Sequence, residues 1–473
     1  MAFIRLAGAR VETAESVPIC SPWDGHEVDR CGLADDAQLE HAVSTAHAAW
    51  RSLAGMPSHR RRDLLERISR SVAARREDFA QLIAREAGKP IVLARAEVDR
   101  AARTFALGAE EATRLGGDAM SLDLGPAADG VSGAWTRASP GPILAITPFN
   151  FPLNLVAHKL APAFALGAPT VLKPAPQAPL TALALADVVR DAGAPEALLS
   201  VVPTTVERAQ RLARDPRFAV LSFTGSARVG WMLREHAGRM RVLLELGGNA
   251  AVIVEPDADV ERALDRLVPA AYGYAGQVCI KAQRIYVQRT LFERVRDALV
   301  ARTASVRVLD PMLGETLCGP VIDAAAGERI RAWIDVACRR GARRLVGGGG
   351  SGNRIEPCVV TDAPEGTQLV DEEVFGPVVT MHPYDTLDEA LGSVERGRYG
   401  LQASLFTHDV RAITKVFGAL RVGALVVNDA PTFRVDSMPY GGVKDSGVGR
   451  EGVRFAIDEM AEKKLLVVRS EGG

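Results

Sequence analysis

A cysteine in an apolar stretch is the residue of this sequence best suited to covalent chemistry. Cys279 lies in the segment Gly276–Ile280, where the glycine lets a ligand approach the backbone and the apolar neighbours keep the thiol dry. A thiol in such surroundings can act as a nucleophile. A cysteine among apolar residues is more commonly a packing residue, so this context alone leaves both interpretations open.

Glu245 is a carboxylate embedded in leucines and followed by two glycines, in the segment Leu243–Asn249. Burial raises the pKa of a carboxyl group toward neutrality, which is what a general base acting on water needs. A glutamate at a strand end that pairs with an arginine is the alternative, because structural ion pairs also perturb carboxylates. Glu245 is therefore a candidate base with an open structural alternative.

Asn150 stands in a rigid aromatic turn, Thr147–Pro152, directly after a predicted strand. A side-chain amide fixed in this way can donate to a developing oxyanion, a role whose loss typically costs roughly 100- to 1000-fold in rate. An asparagine that caps the turn is the alternative. The thiol, the carboxylate and the amide are each ambiguous when taken alone.

Two further segments have the composition of a nucleotide site. Phe223–Ser226 ends one predicted strand and opens the next helix, where backbone N–H groups and the Ser226 hydroxyl could hold a pyrophosphate. The segment is not a GxGxxG motif, so the common dinucleotide fingerprint is absent. Lys173, at the end of another strand, could reach a ribose hydroxyl, although a lysine at a strand end is more often simply solvated.

Alternating strands and helices must position these residues. The periodicity predicts helices over Asp35–Met56, Asp63–Ala87 and Ile91–Leu115, and strands over Val131–Ala138 and Ile143–Thr147. A βα rhythm follows from Thr170 to Ala237, and a second strand-helix series runs from Ala250 to Val427; both favour parallel sheets covered by helices. A short apolar run, Leu465–Val468, is predicted to be a terminal strand in need of a partner.

The composition of the chain disfavours several classes of protein. The 473 residues are 47% hydrophobic and carry a net charge of -1, so disorder and a basic nucleic-acid surface are both disfavoured. The six cysteines lack the spacing of a disulfide framework or a zinc site. Neither a signal peptide nor an uninterrupted apolar run of about 18 residues occurs. We expect a folded cytoplasmic protein of two lobes or more that acts on a small molecule, without nucleic acid, membrane or metal.

Seven segments in this order resemble the aldehyde dehydrogenase superfamily across nearly the whole chain. They are Thr147–Pro152, Lys173-Pro174, Phe223–Gly230, Glu245–Asn249, Gly276–Cys279, Glu372–Pro377 and Pro439–Gly452. The resemblance implies an α/β fold of two parallel-sheet lobes, a Rossmann-like cofactor lobe and a catalytic lobe, with a small β oligomerisation arm. The implied boundaries are 1–119 and 139–246 for the dinucleotide-binding domain, 247–458 for the catalytic domain, and 120–138 and 459–473 for the arm. A homodimer or homotetramer is expected.

The resemblance also implies a role for each residue. Cys279 would attack an aldehyde, Asn150 and the Cys279 backbone N–H would stabilise the oxyanion, and a water activated by Glu245 would hydrolyse the thioester. The implied cofactor contacts are Thr147, Pro148, Phe149, Lys173, Pro176, Phe223, Gly225, Ser226, Val229, Leu246, Gly247, Glu373 and Phe375. The implied substrate pocket is Phe151, Leu155, His158, Val278, Ile280 and Tyr440. For His158 a packing role is an equal alternative.

Glu245 favours hydrolysis over the alternative of acyl transfer to CoA, because the CoA-acylating branch of the family lacks this glutamate. The intact Cys279, Glu245 and Asn150 disfavour a catalytically silent relative. A cysteine hydrolase without cofactor would leave Phe223–Gly230 and Glu373–Phe375 without a role. NAD is the expected cofactor, with NADP as the alternative, since Pro176 replaces the acid that NAD-preferring relatives usually carry.

The segment Asn428–Asp436 resembles the branch of the family that handles short polar aldehydes, including lactaldehyde, glyceraldehyde 3-phosphate and phosphonoacetaldehyde. Relatives that bind a phosphate or phosphonate resemble one another in two arginines, at positions that Val278 and Ala106 occupy here. A dianionic substrate would lack both charge partners. The sequence therefore predicts a small aldehyde that is uncharged or singly charged.

Overall fold

The computed structural model describes residues 2–470, and two large sheets with parallel cores dominate it. The strands are β1 Phe3–Leu6, β2 Ala9–Glu12, β3 Glu15–Cys20, β4 Glu27–Leu33, β5 Gly116–Ser121, β6 Val131–Ala138, β7 Ile143–Ile146, β8 Thr170–Lys173, β9 Leu199–Val201, β10 Val220–Thr224, β11 Arg241–Glu245, β12 Ala250–Val254, β13 Ala282–Gln288, β14 Arg343–Val346, β15 Cys358–Thr361, β16 Val378–Tyr384, β17 Tyr399–Gly400, β18 Gln402–Phe406, β19 Ala424–Val427, β20 Val443–Lys444, β21 Gly447–Val448 and β22 Glu462–Arg469.

Helices cover the faces of these sheets. They are α1 Asp36–Ala54, α2 Ser58–Ala74, α3 Arg76–Ala87, α4 Ile91–Glu111, α5 Asn154–Ala165, α6 Leu180–Asp191, α7 Val206–Leu212, α8 Ala227–His236, α9 Val260–Tyr272, α10 Arg289–Ser305, α11 Ala324–Arg339, α12 Gln368–Asp371, α13 Leu387–Glu395, α14 Val410–Ala419 and α15 Val453–Met460. None of the helices in residues 2–470 is long and apolar enough to span a membrane.

The first sheet has the order β2-β1-β9-β8-β7-β10-β11-β21. Its centre, from β9 to β11, is parallel, while β1 and β21 join antiparallel. β7 is apolar and buried at every position, as expected for a strand covered by helices on both faces. The carboxyl ends of β7, β10 and β11 lie at one edge of the sheet, which is where ligands bind in open α/β folds.

The second sheet has the order β14-β15-β16-β13-β12-β18-β19 and is parallel except at β14. A smaller sheet, β22-β6-β5, places the terminal strand antiparallel to β6, from Glu462 opposite Ala138 to Arg469 opposite Val131. The α/β architecture and the strand over Leu465–Val468 predicted from the sequence are therefore confirmed. Residues 471–473 of the predicted arm lie outside the described residues.

Two predictions for the N-terminal region were incomplete. The predicted helix Asp63–Ala87 is two helices, α2 and α3, because Arg75 leaves helical geometry between them. The strands β1–β4 precede the predicted helices and were not expected. β2, β3 and β4 are for the most part not buried. β1 is a short buried strand whose place in the large sheet depends on its pairing with the distant β9. At the start of α1, Asp35 accepts the Gln38 N–H in a reciprocal capping box.

Candidate active site

Cys279 lies in the loop between α9 and β13, after a sharp reversal of the backbone. Tyr274, Ala275 and Gly276 all have positive φ, of 54°, 52° and 68°. A Cβ at Gly276 would lie 2.4 Å from the Gly376 carbonyl oxygen, so only glycine fits there. Residues held in left-handed geometry persist where the surrounding structure imposes it, a pattern common at active sites. The reversal presents Cys279 to a cavity between the two large sheets.

Within residues 2–470 the thiol has a single close polar partner. Its Sγ lies 3.0 Å from the Tyr440 hydroxyl oxygen. Burial raises the pKa of Cys279 to about 11, and the Tyr440 hydrogen bond and the positive charge of Arg434 oppose that rise. The resting nucleophile is thus a protonated thiol, which must lose its proton before it can react.

Asn150 stands in the loop between β7 and α5 and is 3% exposed. Its Nδ2 donates a hydrogen bond of 2.9 Å to the carbonyl of Gln277, two residues before the nucleophile. One amide hydrogen is thereby fixed and the other is left for a ligand. The backbone N–H of Cys279 makes no hydrogen bond within residues 2–470, so two donors are available beside the thiol.

Glu245 is the last residue of β11 and is 5% exposed. Its Oε2 is buried and has no hydrogen-bond partner within residues 2–470. Burial, reinforced by the nearby carboxylate of Glu451, raises the pKa of Glu245 well above the ordinary value of 4.5. Glu451 in turn lies 3.0 Å from Arg434 and 3.6 Å from Lys159. A carboxyl group of raised pKa with a free oxygen has the properties of a general base.

Paired charges form a buried polar wall at the first cavity, made of Arg100, Arg434, Asp436 and Glu451. Arg434 stacks on the Tyr440 ring at 3.6 Å and lies 3.2 Å from His158 Nε2. Asp436 accepts from Arg100 at 2.6 Å and lies 2.9 Å from His158 Nε2. Burial, followed by the charge of Arg434, lowers the pKa of His158. The Nε of Arg434 is buried and has no hydrogen-bond partner within residues 2–470.

A second cavity adjoins the first at the carboxyl ends of β8 and β10. Lys173 lies in its wall, and burial lowers the pKa of this lysine to about 8. The Ser226 hydroxyl makes no capping bond at the start of α8, and the buried Thr224 hydroxyl has no partner within residues 2–470. Unpaired hydroxyls at a helix N-terminus fit the pyrophosphate of a dinucleotide.

Glu373 and Phe375 line the first cavity. Glu373 Oε1 accepts the Gly248 N–H at 3.1 Å, and burial raises the pKa of Glu373 to about 7. Phe375 has a φ of 47° and meets Phe149 edge to face at 5.9 Å. A carboxylate and an aromatic edge in this position suit the ribose and ring of a nicotinamide.

The two cavities bring together nearly all the residues predicted from the sequence. The first, of about 350 Å³, is lined by Asn150, Phe151, Leu155, Glu245, Leu246, Gly247, Val278, Cys279, Ile280, Glu373, Phe375 and Tyr440. The second is lined by Thr147, Lys173, Pro176, Phe223 and Val229, and the two share Pro148, Phe149, Gly225 and Ser226. His158 lies behind Arg434, fully buried, and does not line either cavity.

Four charged residues of the first cavity were not singled out from the sequence: Arg100, Arg329, Arg434 and Glu451. Arg100 had a detectable signal, because Glu97, Arg100 and Thr104 are spaced i, i+3, i+7 within the apolar face of α4. Polar residues on an otherwise apolar helix face indicate a buried polar network. No cluster of acidic, histidine or cysteine side chains suited to a metal occurs in residues 2–470.

Comparison with known proteins identifies the family. A model of the aldehyde dehydrogenase family matches residues 10–466. The chain is 38% identical to the 3-sulfolactaldehyde dehydrogenase of Priestia megaterium, over 96% of this chain and 95% of the relative.

Two solved structures are similar over almost their full length. Aldehyde dehydrogenase 21 of Physcomitrella patens, in complex with its reaction product succinate, has a TM-score of 0.96 at 37% identity and covers 99% of this chain and 98% of its own. The NADP complex of glyceraldehyde-3-phosphate dehydrogenase from Methanocaldococcus jannaschii has a TM-score of 0.92 at 30% identity, covering 96% and 99%. The chain therefore belongs to the aldehyde dehydrogenase family, as its sequence predicted, and is an NAD(P)-dependent oxidoreductase that acts on aldehydes.

Proposed function

We propose that this enzyme oxidises a short aldehyde with one negative charge at its far end, and that it releases the free acid. The observation that carries the proposal is Arg434, which lines the cavity that contains Cys279 and whose Nε is buried without a hydrogen-bond partner within residues 2–470. A buried donor without a partner is costly, and an anionic substrate group that pairs with the Arg434 guanidinium would offset that cost.

Each catalytic residue has a specific part in this reaction. The Cys279 thiolate bonds to the aldehyde carbon, and the resulting oxyanion accepts hydrogen bonds from Asn150 Nδ2 and the Cys279 backbone N–H. As the oxyanion collapses to a thioester, a hydride would leave the carbon, and NAD(P)+, held by the residues of the second cavity, would supply the acceptor for it. Glu245 removes a proton from water, whose oxygen attacks the thioester and releases the acid and the Cys279 thiol. Aldehyde, NAD(P)+ and water thus give acid, NAD(P)H and a proton.

The polar wall supports one negative charge rather than two. Arg434 is paired with Glu451, and Arg100 is paired with Asp436, so the arginines offer spare donors without a large excess of positive charge. A dianion would bring a second charge into a buried site without another cation to meet it, at a considerable desolvation cost. The sequence also favours a single negative charge, because Val278 and Ala106 occupy the positions at which phosphate-binding relatives resemble one another in carrying arginines.

The relatives are consistent with a carboxylate or sulfonate as the charged group. One is named for 3-sulfolactaldehyde, and another holds succinate as its product. Both groups carry one charge and present planar or trigonal oxygens to an arginine. The relative named for glyceraldehyde 3-phosphate represents the dianionic alternative.

The first test is reduction of NAD+ or NADP+, followed by absorbance, with a panel of aldehydes. We expect 3-sulfolactaldehyde and succinate semialdehyde to exceed lactaldehyde by about tenfold or more in kcat/KM, because an ionic hydrogen bond contributes about 1.5 to 3 kcal/mol. Cys279→Ala should abolish turnover. Glyceraldehyde 3-phosphate as the best substrate would contradict the proposal.

Arg434→Met tests the charged contact directly. We expect it to lower kcat/KM for the monoanionic aldehydes by about 100-fold and for lactaldehyde by much less. Arg329→Met is the matched control. Arg329 lines the same cavity, but it donates a hydrogen bond to the Val374 carbonyl, next to Glu373. An equal loss for charged and uncharged aldehydes in Arg434→Met would argue against charge recognition.

We also infer that the chain divides into the predicted domains: 1–119 with 139–246, 247–458, and 120–138 with 459–473. The strands of each large sheet support this division, except that β21, at 447–448, crosses to the edge of the first sheet. That crossing ties the catalytic part of the chain to Glu245, since Gly447 pairs with Glu245. Limited proteolysis at the boundaries would test the division.

The arm strand β22 supports assembly with further copies of the chain. Leu465, Leu466, Val467 and Val468 are 49% to 64% exposed on a strand that has a neighbour on only one side. An exposed apolar edge strand is normally covered by another chain. We infer a homodimer or homotetramer; light scattering on the wild type and on Leu466→Lys tests it, and a monomeric wild type would refute it.

We further infer a cytoplasmic location. All six cysteines are free thiols, including the exposed Cys20, and the proposed nucleophile must stay reduced. Free thiols persist in the reducing conditions of the cytosol. Fractionation of cells that express the chain, with activity in the soluble cytosolic fraction, is the expected result.

A further inference from the structure

A fully buried ion pair lies behind the Asn150 loop. Lys89 follows α3 and Glu97 is on α4, and their side chains are 1% and 0% exposed with Nζ and Oε2 2.5 Å apart. Burial lowers the pKa of Lys89 to about 8, and the charge of Glu97 opposes that effect. Neither residue has a part in the chemistry proposed above, yet burying both charges carries a large desolvation cost.

The pair holds both ends of the segment that carries Asn150. Lys89 Nζ donates to the Asn150 carbonyl at 2.8 Å. Glu97 Oε1 accepts the backbone N–H groups of Leu153 and Asn154 at 2.9 and 3.1 Å, where α5 begins. The backbone on either side of the turn is therefore fixed to one rigid group.

The same lysine reaches toward the segment of the nucleophile. Its Nζ lies 3.3 Å above the Phe151 ring and 4.9 Å from the centre of the Tyr274 ring. Tyr274 belongs to the reversed backbone before Cys279, and its hydroxyl donates to the Ala87 carbonyl at 2.9 Å. Lys89 thus lies between the loop of the oxyanion donor and the loop of the nucleophile.

A second buried carboxylate shows that capping a helix does not by itself require a lysine partner. Glu86 on α3 is 0% exposed and accepts the N–H groups of Leu180 and Thr181 at the start of α6, at 2.8 and 3.0 Å. It has no lysine partner within residues 2–470. A carboxylate alone can therefore cap a helix here, so capping does not explain why Lys89 is buried beside Glu97.

We propose that Lys89 and Glu97 are positioning residues, which fix the Asn150 amide at the distance from Cys279 that the oxyanion requires. The inference rests on the proposed role of Asn150. Because Lys89 contacts the Asn150 carbonyl directly and the Cys279 loop through Tyr274, its removal allows the amide to move without removing any reacting group. A displacement on the order of 1 Å can cost about 100-fold in rate.

A double-mutant cycle with Asn150 tests the inference. Lys89→Met in the full-length enzyme should lower kcat by about 10- to 100-fold, with little change in cofactor affinity. In an Asn150→Ala background the same substitution should cost less than about threefold, because the amide it positions is already absent. The rate of Cys279 alkylation by iodoacetamide should not change, since the thiol itself is untouched.

The outcomes separate the possible failures. If Asn150→Ala alone retains full kcat, the proposed role of Asn150 is wrong. If Asn150→Ala is impaired but Lys89→Met costs the same factor in both backgrounds, the positioning inference is wrong and Lys89 is merely structural. Wild-type kcat in a folded Lys89→Met would also overturn it.

Two further variants keep the test decisive. Glu86→Gln weakens a matched buried cap away from the active site, and should lower thermal stability without changing kcat. Glu97→Gln together with Lys89→Met removes both charges at nearly constant volume, which avoids an unpaired buried ion if the single variant fails to fold. The double variant should show the same loss of kcat and the same dependence on Asn150; unchanged kcat would refute the inference.

Discussion

The two adjoining cavities hold their charged groups in different ways. In the first cavity, Arg434 pairs with Glu451 and Arg100 pairs with Asp436. In the second cavity, Lys173 forms no ion pair within residues 2–470. The ion-paired arginines are held in place by the protein and keep only single donors, such as the Nε of Arg434, for a ligand. A group without an ion pair is available to a ligand as a whole.

Glu245 forms no ion pair within residues 2–470, and its raised pKa makes the stability of the fold depend on pH. Its pKa is raised in the folded state, so between the unfolded and the folded pKa the folded chain holds a proton that the unfolded chain has lost. The free energy of unfolding therefore falls as pH rises above the ordinary value of 4.5 for this group. Loss of one member of a buried pair is different, because the remaining charge is left unpaired, at a cost of about 3 to 5 kcal/mol.

The largest effect should follow from Glu245→Gln. We expect kcat to fall by about 1000-fold, because water is no longer activated, while one equivalent of NAD(P)H per active site still forms in a rapid burst. Thermal stability should stay constant or rise, since the buried carboxyl group that is costly to ionise has gone. Stopped-flow absorbance and a melting curve at neutral pH measure both.

Glu451→Gln provides the contrast with Glu245→Gln. Glu451 is held by Arg434 and Lys159, and these cations keep its pKa below the ordinary value despite burial. Its loss should lower the melting temperature, because two buried cations lose their partner. Equal melting temperatures for Glu245→Gln and Glu451→Gln would contradict the expected difference between paired and unpaired groups.

A smaller effect is expected in the second cavity, where the charged lining residues are Lys173 and Arg228. With no carboxylate in that lining, NADP+ should be accepted alongside NAD+, because nothing repels a 2'-phosphate. Pro176→Glu should lower kcat/KM for NADP+ by about tenfold and change that for NAD+ much less. Pro176→Gln is the control of similar size without charge, and an unchanged cofactor ratio in Pro176→Glu would show that position 176 does not face the phosphate.

Local sequence patterns were enough to single out the unpaired groups as candidates. Asn150 follows strand β7, Glu245 ends strand β11 and Cys279 follows a glycine turn, so local sequence fixes the backbone that presents each of them. Glycine at 276 was expected for close approach of a ligand, and its neighbour proves to be the Gly376 carbonyl. The βα rhythm predicted both parallel sheets for the same reason, since each strand and helix carries its own periodicity.

Pairs between distant segments could not be predicted in this way. Arg100 and Asp436 are 336 positions apart, and Arg434 meets His158 across 276 positions. No local pattern encodes such a partner, so His158 was placed in the substrate pocket when its ring lies behind Arg434. The antiparallel strand β1 was missed likewise, because its pairing with β9 is set by tertiary contact.

The smallest predicted effect concerns Tyr440, which joins the paired wall to the nucleophile. Its ring lies under Arg434, and its hydroxyl lies 3.0 Å from Cys279 Sγ, where it opposes the burial that raises the thiol pKa to about 11. Tyr440→Phe should raise that pKa further and slow alkylation by iodoacetamide about threefold at pH 8, the effect of a hydrogen bond of about 0.5 to 1 kcal/mol. Tyr286→Phe, elsewhere in the second sheet, should leave the rate unchanged. An unaltered rate in Tyr440→Phe would mean that the hydroxyl does not stabilise the thiolate, and that the charge of Arg434 acts on Cys279 alone.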